Sequence, residues 1–219
     1  MNFLVIGSGA REHIIAQKLF DAGVSVFSVI TNRNPGLIYL SKEFLFVNEY
    51  KANIQKIIDF SLSKNIDCVV IGPEDPLALG FSDSFLNKGI PVVGPTKLLA
   101  QIETSKGFTR DLLVRNEIYV SPRYERFNSI DGVEDFIKDL SDEYVVKYDG
   151  LMGGKGVKVS GEHLMSTQEA ISYCNQLIDL GGTFIVEEKL LGEEFSLMSF
   201  CDGKSCLLYT SPSPRDDEL

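Results

Sequence analysis

The chain has 219 residues, four cysteines and a formal net charge of -10 at pH 7. This length suits one large or two modest α/β domains that fold without metal or disulfide staples. An acidic chain with scattered Lys and Arg lacks the basic stripe that nucleic acids require, and no apolar run approaches the roughly 20 residues that span a bilayer. We therefore expect a cytoplasmic protein with reduced cysteines and without a nucleic-acid or membrane partner.

The first hundred residues alternate short apolar runs with helical periodicity. Strands are predicted at NFLVIG, VSVFSVI, DCVVIGPE and IPVVGP, with helices between them around residues 15–22, 54–62 and 77–85. Strands that alternate with helices indicate right-handed crossovers and a parallel sheet, whose ligands collect at the carboxyl ends of the strands. We predict a Rossmann-like domain over residues 1–103.

After about residue 103 the rhythm changes. Helices are predicted in ETSKGFTRDLLVRN and SIDGVEDFIKDL, and strands in EYVVKYD, KGVKVS, TFIVEEKL and EEFSLMSFCDG. Ser166 and Glu169 have the spacing of a capping box, which predicts the start of another helix. This half reads as an α+β unit in which hairpins pack under helices.

The motif GSGAREH follows the first strand and opens the first helix. Gly7 and Gly9 would let the backbone approach a phosphate, and Arg11 would add a planar donor fork. A dinucleotide fingerprint fails here because Glu12 occupies its third glycine position and the second strand is not followed by an acidic residue. The alternative is a plain strand-to-helix turn with a solvated Arg11.

The motif GPEDPLALG lies at another strand end. Two prolines, Pro73 and Pro76, fix the backbone and favour a crevice-facing carboxylate at Glu74, which could accept from a sugar hydroxyl or an amine. The alternative is a rigid turn with solvated acids.

The segment VVKYDGLMGGKGVKV is not a Walker loop, since its glycines lie between two strands. Lys147 projects from an apolar strand and would be costly to bury without a negative partner. The glycines let backbone N–H groups close on phosphate oxygens, and Lys155 adds a cation. The alternative is an exposed hairpin with solvated lysines.

The segment FIVEEKLLGEEFS ends an apolar strand with two carboxylates. Period-two alternation points one of Glu187 and Glu188 inward and the other outward. The strand end could offer backbone groups to a purine edge, and Glu194 could take ribose hydroxyls. The alternative is a charged hairpin surface.

These motifs, together with VGPTKLLAQIETSKGFTRDLL, occur in colinear order over residues 1–205 and resemble the glycinamide ribonucleotide synthetase family of ATP-grasp enzymes. The resemblance implies a pre-ATP-grasp domain over 1–103 and the first part of an α+β ATP-grasp domain over 104–205, with a lid subdomain at about 121–191. It also implies a carbon-nitrogen ligase of purine biosynthesis that joins glycine to 5-phosphoribosylamine through glycyl phosphate, with ATP and Mg2+ or Mn2+.

The resemblance also implies roles for individual residues. Lys147 and Lys155 would be catalytic. The ATP phosphates would meet Lys106 and Lys147 beneath a lid, and the lid residues would be Gly153, Gly154, Lys155 and Gly156. Adenine would meet Glu187, Glu188 and Leu190, and ribose would meet Glu194. The residues toward phosphoribosylamine would be Gly7, Gly9, Arg11, Glu12 and Glu74.

Two departures from the family shape our expectations. The family's metal ligands lie beyond position 219, so we assign no metal ligand here and expect an inactive fragment. Residues 206–216, CLLYTSPSPRD, look like a translated sequencing adapter, so we expect 206–219 to be a non-native tail; a Pro/Ser-rich linker is the alternative. Other functional hypotheses are a different ATP-grasp ligase or carboxylase, a nucleotide-binding module without catalysis, and a nicotinamide-dependent oxidoreductase.

Overall fold

The computed structural model describes residues 1–153, 155–193, 196–201 and 204–211. Its first sheet contains parallel strands in the order β3-β2-β1-β4-β5, which confirms the predicted parallel sheet. The strands are β1 (Asn2–Ile6), β2 (Ser25–Ile30), β3 (Glu43–Phe46), β4 (Cys68–Ile71) and β5 (Val92–Val93).

Helices connect these strands, and one more helix follows the last of them. They are α1 (Ala10–Asp21), α2 (Pro35–Leu40), α3 (Ile54–Ser63), α4 (Glu74–Ala78), α5 (Phe81–Leu86) and α6 (Lys97–Thr104). The single helix predicted near residues 77–85 is in fact α4 and α5, because Gly80 adopts a left-handed φ of 83° between them. The sequence reading also missed α2 and the edge strand β3.

Apolar side chains cover both faces of this sheet. Leu4 and Ile6 of β1 lie in one buried cluster with Phe81 and Phe85, whereas Val5 lies in a cluster on the other face. This alternation follows from the period of two in a strand. Burying each large side chain contributes about 1.5–3 kcal/mol relative to exposure, so the sheet is held from both sides.

The second sheet is antiparallel and has the order β6-β9-β7-β8. Its elements are α7 (Lys106–Arg115), β6 (Tyr124–Phe127), α8 (Val133–Asp139), β7 (Tyr144–Tyr148), β8 (Val157–Val159), α9 (Thr167–Asp179) and β9 (Phe184–Glu188). The predicted cap at Ser166 is present, since its Oγ accepts from the Glu169 N–H at 3.2 Å. A separate core packs α8 and α9 on one face of this sheet and includes Phe127, Val146 and Phe184.

Two further strands, β10 (Ser196–Cys201) and β11 (Cys206–Ser211), pair in antiparallel register. Strand β11 covers part of the segment that was interpreted as a non-native tail. The helices in the described ranges all fall short of the length and apolar character needed to cross a membrane.

Candidate functional site

A cleft of about 450 Å³ opens between α7 and the loop that follows β7. We call residues 149–156, which join β7 to β8, the glycine-rich loop. The side chains that give the cleft its charge come from four elements and are Glu74, Glu103, Lys106, Arg110 and Lys147. Backbone from Gly150, Gly153 and Gly156 completes one wall. Cations and approachable backbone therefore face the same space.

Lys106 is the first residue of α7. The helix predicted in ETSKGFTRDLLVRN is interrupted at Ser105, whose Oγ caps α7 by accepting from the Phe108 N–H at 3.1 Å. Lys106 Nζ donates to the carbonyl oxygens of Tyr148 and Gly150, both at 3.1 Å. Burial lowers the pKa of Lys106, and the nearby Asp149 carboxylate opposes this shift.

Lys147 forms an ion pair with Glu187, whose side chain is 4% exposed. Arg110 Nη2 lies 3.1 Å from the other carboxylate oxygen. Lys147 stands opposite Ile185 and Glu187 opposite Val145, so the pair is a diagonal contact between β7 and β9. The negative partner expected for Lys147 is therefore supplied, in this structure, by the protein itself.

Sequence reasoning missed Arg110 and Asp149. Arg110 lies one turn beyond Lys106, and the i,i+4 spacing was a signal that both cations share a face of α7. The Asp149 side chain is 1% exposed and lies 3.0 Å from Arg126. No sequence pattern predicted its burial, because Asp before glycine is typical of an exposed turn.

Backbone hydrogen bonds hold the two ends of the glycine-rich loop together. Tyr148 N–H donates to the Gly156 carbonyl at 2.7 Å, and Lys155 N–H donates to Met152 at 3.0 Å. Gly153 has a φ of 55°, which favours glycine. Lys155 is exposed and lies outside the lining of the cleft. Gly154 lies outside the described residues.

The carboxyl ends of β1 and β4 form a second site. Because strand order reverses between these neighbours, a crevice is expected there, and one of about 560 Å³ is lined by Gly9, Arg11 and Glu12. Gly7 is buried behind it, with a φ of 132°. Tyr50 also lines the crevice, and burial raises the pKa of its phenol.

Glu12 is turned inward. It is 4% exposed, and its carboxylate accepts from the Gly9 N–H at 2.6 Å. A Cβ at Gly7 or Gly72 would collide with the Glu12 side chain, so both glycines are needed for this packing. The carboxylate occupies an N–H group that a dinucleotide pyrophosphate would use, which argues against the oxidoreductase hypothesis.

Arg11 and Glu74 connect the two spaces. Arg11 lines the crevice, Glu74 lines the cleft, and the Arg11 Nη2 atom lies 3.2 Å from Glu74 Oε1. Their side chains are 69% and 38% exposed, so the pair itself contributes little to stability. The structure thus brings together two residues predicted to meet the same substrate.

The predicted adenine contacts do not line the cleft. Glu187 is buried outside the lining of the cleft, while Glu188 accepts from the Arg123 N–H at 3.2 Å and Leu190 is 65% exposed. Glu194 falls outside the described residues. The assignment of Glu187, Glu188, Leu190 and Glu194 stays a prediction.

The charge of the cleft fits a polyphosphate. Lys106, Arg110 and Lys147 face it, and fixed cations bind phosphate oxygens by charge-assisted hydrogen bonds. Within the described residues, no three His, Cys, Asp or Glu side chains come together as a metal site. These residues therefore fit the phosphates of a nucleotide but do not by themselves fit a metal ion.

Comparison with known proteins finds matches to one family over residues 1–214. Residues 1–103 match the family model "Phosphoribosylglycinamide synthetase, N domain", and residues 104–214 match "Phosphoribosylglycinamide synthetase, ATP-grasp (A) domain". The chain is 45% identical over 213 residues to a phosphoribosylamine–glycine ligase of Methanococcus vannielii, covering 94% of this chain and 48% of that protein.

Solved structures share the fold. A phosphoribosylamine–glycine ligase from Thermotoga maritima has a TM-score of 0.70 at 24% identity, covering 95% of this chain and 49% of that one. An N5-carboxyaminoimidazole synthetase from Staphylococcus aureus, complexed with ADP, has a TM-score of 0.67 at 15% identity, covering 95% and 52%. The chain spans about half the length of the curated relatives it matches. Its sequence matches in both halves show that it belongs to the phosphoribosylglycinamide synthetase family.

Proposed function

We propose that this chain forms the nucleotide-phosphate cleft and the amine-substrate crevice of an ATP-dependent carbon-nitrogen ligase. The reaction proposed for the complete enzyme joins glycine to 5-phosphoribosylamine and yields glycinamide ribonucleotide, ADP and phosphate. The observation that carries the proposal is the convergence of Lys106, Arg110 and Lys147 on one cleft walled by a glycine-rich loop. Curated relatives of this chain carry the name phosphoribosylamine–glycine ligase.

The proposed reaction has two steps. The glycine carboxylate attacks the γ-phosphorus of ATP, forming glycyl phosphate and releasing ADP. The amine of phosphoribosylamine then attacks the acyl carbon and phosphate leaves, so no covalent intermediate forms on the protein. The first step brings two anions together, and Lys106 and Lys147 would neutralise charge on the phosphates.

The positions of the two spaces support this sequence of steps. The crevice at the ends of β1 and β4 would hold phosphoribosylamine, with Gly7, Gly9, Arg11 and Glu12 toward it. Glu74 stands where the crevice meets the cleft and could accept from the amine or a sugar hydroxyl. The glycine-rich loop, with Gly153, Gly154, Lys155 and Gly156, would cover the phosphates and exclude water from the acyl phosphate.

A divalent cation, Mg2+ or Mn2+, is proposed as the cofactor that would lower the charge repulsion between the phosphates. The described residues do not form a site for this ion. The division into domains at 1–103 and 104–205, with a lid at about 121–191, is also proposed. Separate hydrophobic cores and separate family matches support it. A cytoplasmic location is proposed because the proposed reaction belongs to purine biosynthesis.

Calorimetric titration of the 219-residue chain with ADP, ATP and NAD tests the proposal. We expect ADP and ATP to bind and NAD to give no heat of binding, because Glu12 fills the glycine-rich turn that a dinucleotide would need. Binding of NAD with an affinity equal to that of ADP would refute the assignment. Absence of any nucleotide binding would refute it as well.

A further inference from the structure

We propose that Asp149 is a positioning residue that fixes Lys106 and Lys147 relative to each other before a nucleotide binds. The inference rests on the proposed function of the cleft and extends it to a residue behind the binding surface. Asp149 does not line the cleft, so it would act only through the residues that it holds.

The Asp149 carboxylate is buried, and one of its oxygen atoms accepts two hydrogen bonds while the other forms an ion pair. Its Oδ1 atom accepts from the Ser105 hydroxyl and from the Gly107 N–H, each at 3.0 Å. Its Oδ2 atom lies 3.0 Å from Arg126 Nη2, an ion pair that lacks hydrogen-bond geometry. A carboxylate that is 1% exposed would be strongly destabilising without such partners.

These contacts connect the two lysines. Ser105 and Gly107 flank Lys106 at the start of α7, and Asp149 follows β7, the strand that carries Lys147. The arrangement is reciprocal, because Lys106 Nζ donates to the carbonyls of Tyr148 and Gly150, which flank Asp149. Each side chain thus bonds to both neighbours of the other, Lys106 through two backbone carbonyls and Asp149 through a hydroxyl and a backbone N–H. These bonds fasten the start of α7 to the beginning of the glycine-rich loop.

Gly107 shows how closely the two segments approach. A Cβ built at this position would lie 2.7 Å from Asp149 Oδ2 and 2.9 Å from Arg126 Nε. Because a larger residue would push the carboxylate away from α7, the contact depends on glycine at position 107. In the sequence Ser105-Lys106-Gly107, the serine therefore caps α7, the lysine supplies the cation, and the glycine leaves room for the Asp149 carboxylate.

The electrostatics give Asp149 a measurable signature at Lys106. Charged groups around the Lys106 ammonium are Glu103, Lys147, Asp149 and Glu187, with Glu74 and Arg110 on the walls of the same cleft. Burial and Lys147 lower the pKa of Lys106, whereas Asp149 is the largest influence in the opposite direction. Removing that carboxylate should lower the pKa further.

The test compares Asp149→Asn with Asp111→Asn in the 219-residue chain. Asp111 also lies near Arg126, at 4.0 Å, but it is not bonded to the start of α7. NMR of the chain labelled with 15N at the lysine ε-amines reports the Lys106 titration, with Lys106→Met used to assign the signal. We expect Asp149→Asn to lower the pKa of Lys106 and Asp111→Asn to leave it unchanged.

The direction of the Lys106 pKa shift distinguishes a loss of positioning from a loss of folding. If Asp149→Asn merely unfolds the chain, the Lys106 pKa rises toward its ordinary value of 10.5 instead of falling. In that case Ser105→Ala decides, because it removes one donor and keeps the carboxylate. We expect it to weaken ADP binding about threefold without moving the Lys106 pKa, and unchanged ADP affinity would overturn the proposal.

ADP affinity supplies the second measurement. We expect Asp149→Asn to bind ADP about tenfold more weakly than Asp111→Asn, with the loss growing as pH rises because neutral Lys106 no longer attracts phosphate. Equal pKa values and equal ADP affinities in the two variants would overturn the proposal. The lysine titration needs no nucleotide, so it tests Asp149 even if the wild-type chain binds no ADP and the proposed function fails.

Discussion

Replacing Glu187 with Gln removes the carboxylate that lies between Lys147 and Arg110 and leaves two cations side by side. The Glu187 side chain is 4% exposed, while those of Lys147 and Arg110 are 24% and 23% exposed. Removing one partner of a fully buried pair costs about 3–5 kcal/mol, whereas an exposed pair contributes about 0–1 kcal/mol. Because water reaches both cations in part, we expect an intermediate loss of about 2–3 kcal/mol.

Thermal unfolding followed by circular dichroism measures this loss. For a chain of this length each kcal/mol corresponds to about 2–4 °C, so the Tm of Glu187→Gln should fall by about 4–12 °C. Glu188→Gln is the matched control. Glu188 is the next residue of the same strand, and its carboxylate makes an exposed contact to the Arg123 N–H. A Tm for Glu187→Gln within 1 °C or so of the control would refute the reasoning, since one partner of a buried ion pair cannot be lost at so little cost.

Three other perturbations test separate parts of the structure. Lys147→Met should weaken ADP binding about 10- to 100-fold in calorimetry. Lys158→Met should leave ADP binding unchanged, because Lys158 lies outside the cleft, with its Nζ 4.2 Å from the centroid of a tyrosine ring. Gly107→Ala should destabilise the chain by about 1–3 kcal/mol in urea unfolding, because its Cβ would lie 2.7 Å from Asp149; unchanged stability would contradict that packing. Burial raises the pKa of the Cys174 thiol from 9.0 to about 12. The unfolded thiol therefore ionises first, and stability should fall as pH rises from about 9 to 12, by up to about tenfold in the unfolding equilibrium per pH unit; Cys174→Ala should flatten this dependence, and an equally steep loss in that variant would count against it.

The sequence was sufficient to predict elements whose signals lie within a few neighbouring residues. Strand β1 and the cap at Ser166 could be predicted because a short apolar run and a capping spacing are both complete within a few residues. Helix α2 carried a signal that was overlooked: Asn34 caps it, accepting from Gly36 and Leu37, and Pro35 occupies its first position. Ser105 similarly carried a capping signal inside what was interpreted as one continuous helix.

Contacts that depend on register could not be predicted. Alternation correctly placed one of Glu187 and Glu188 inside, but the partner of Glu187 is set by the pairing of β7 with β9. That register places Lys147 diagonally across from Glu187, and the sequence contains no record of it. Asp149 was missed for a related reason, because its partners at Ser105 and Gly107 lie more than 40 residues away.

The origin of residues 206–216 remains a prediction. The structure pairs β11 with β10, and the match to the ATP-grasp family model continues to residue 214. Sequencing the coding nucleotides from an independently prepared sample decides the origin of these residues, since codons that depart from the adapter sequence would refute the interpretation.

A crystal structure of the 219-residue chain with ADP would show which of the two spaces binds the nucleotide phosphates. We expect the diphosphate in the cleft between α7 and the glycine-rich loop, with oxygen atoms about 2.7–2.9 Å from the Nζ atoms of Lys106 and Lys147. Lys147 would then share its charge between Glu187 and the nucleotide. A diphosphate bound instead at the Gly9 turn, with the cleft free of nucleotide, would refute the assignment of the cleft to the nucleotide phosphates.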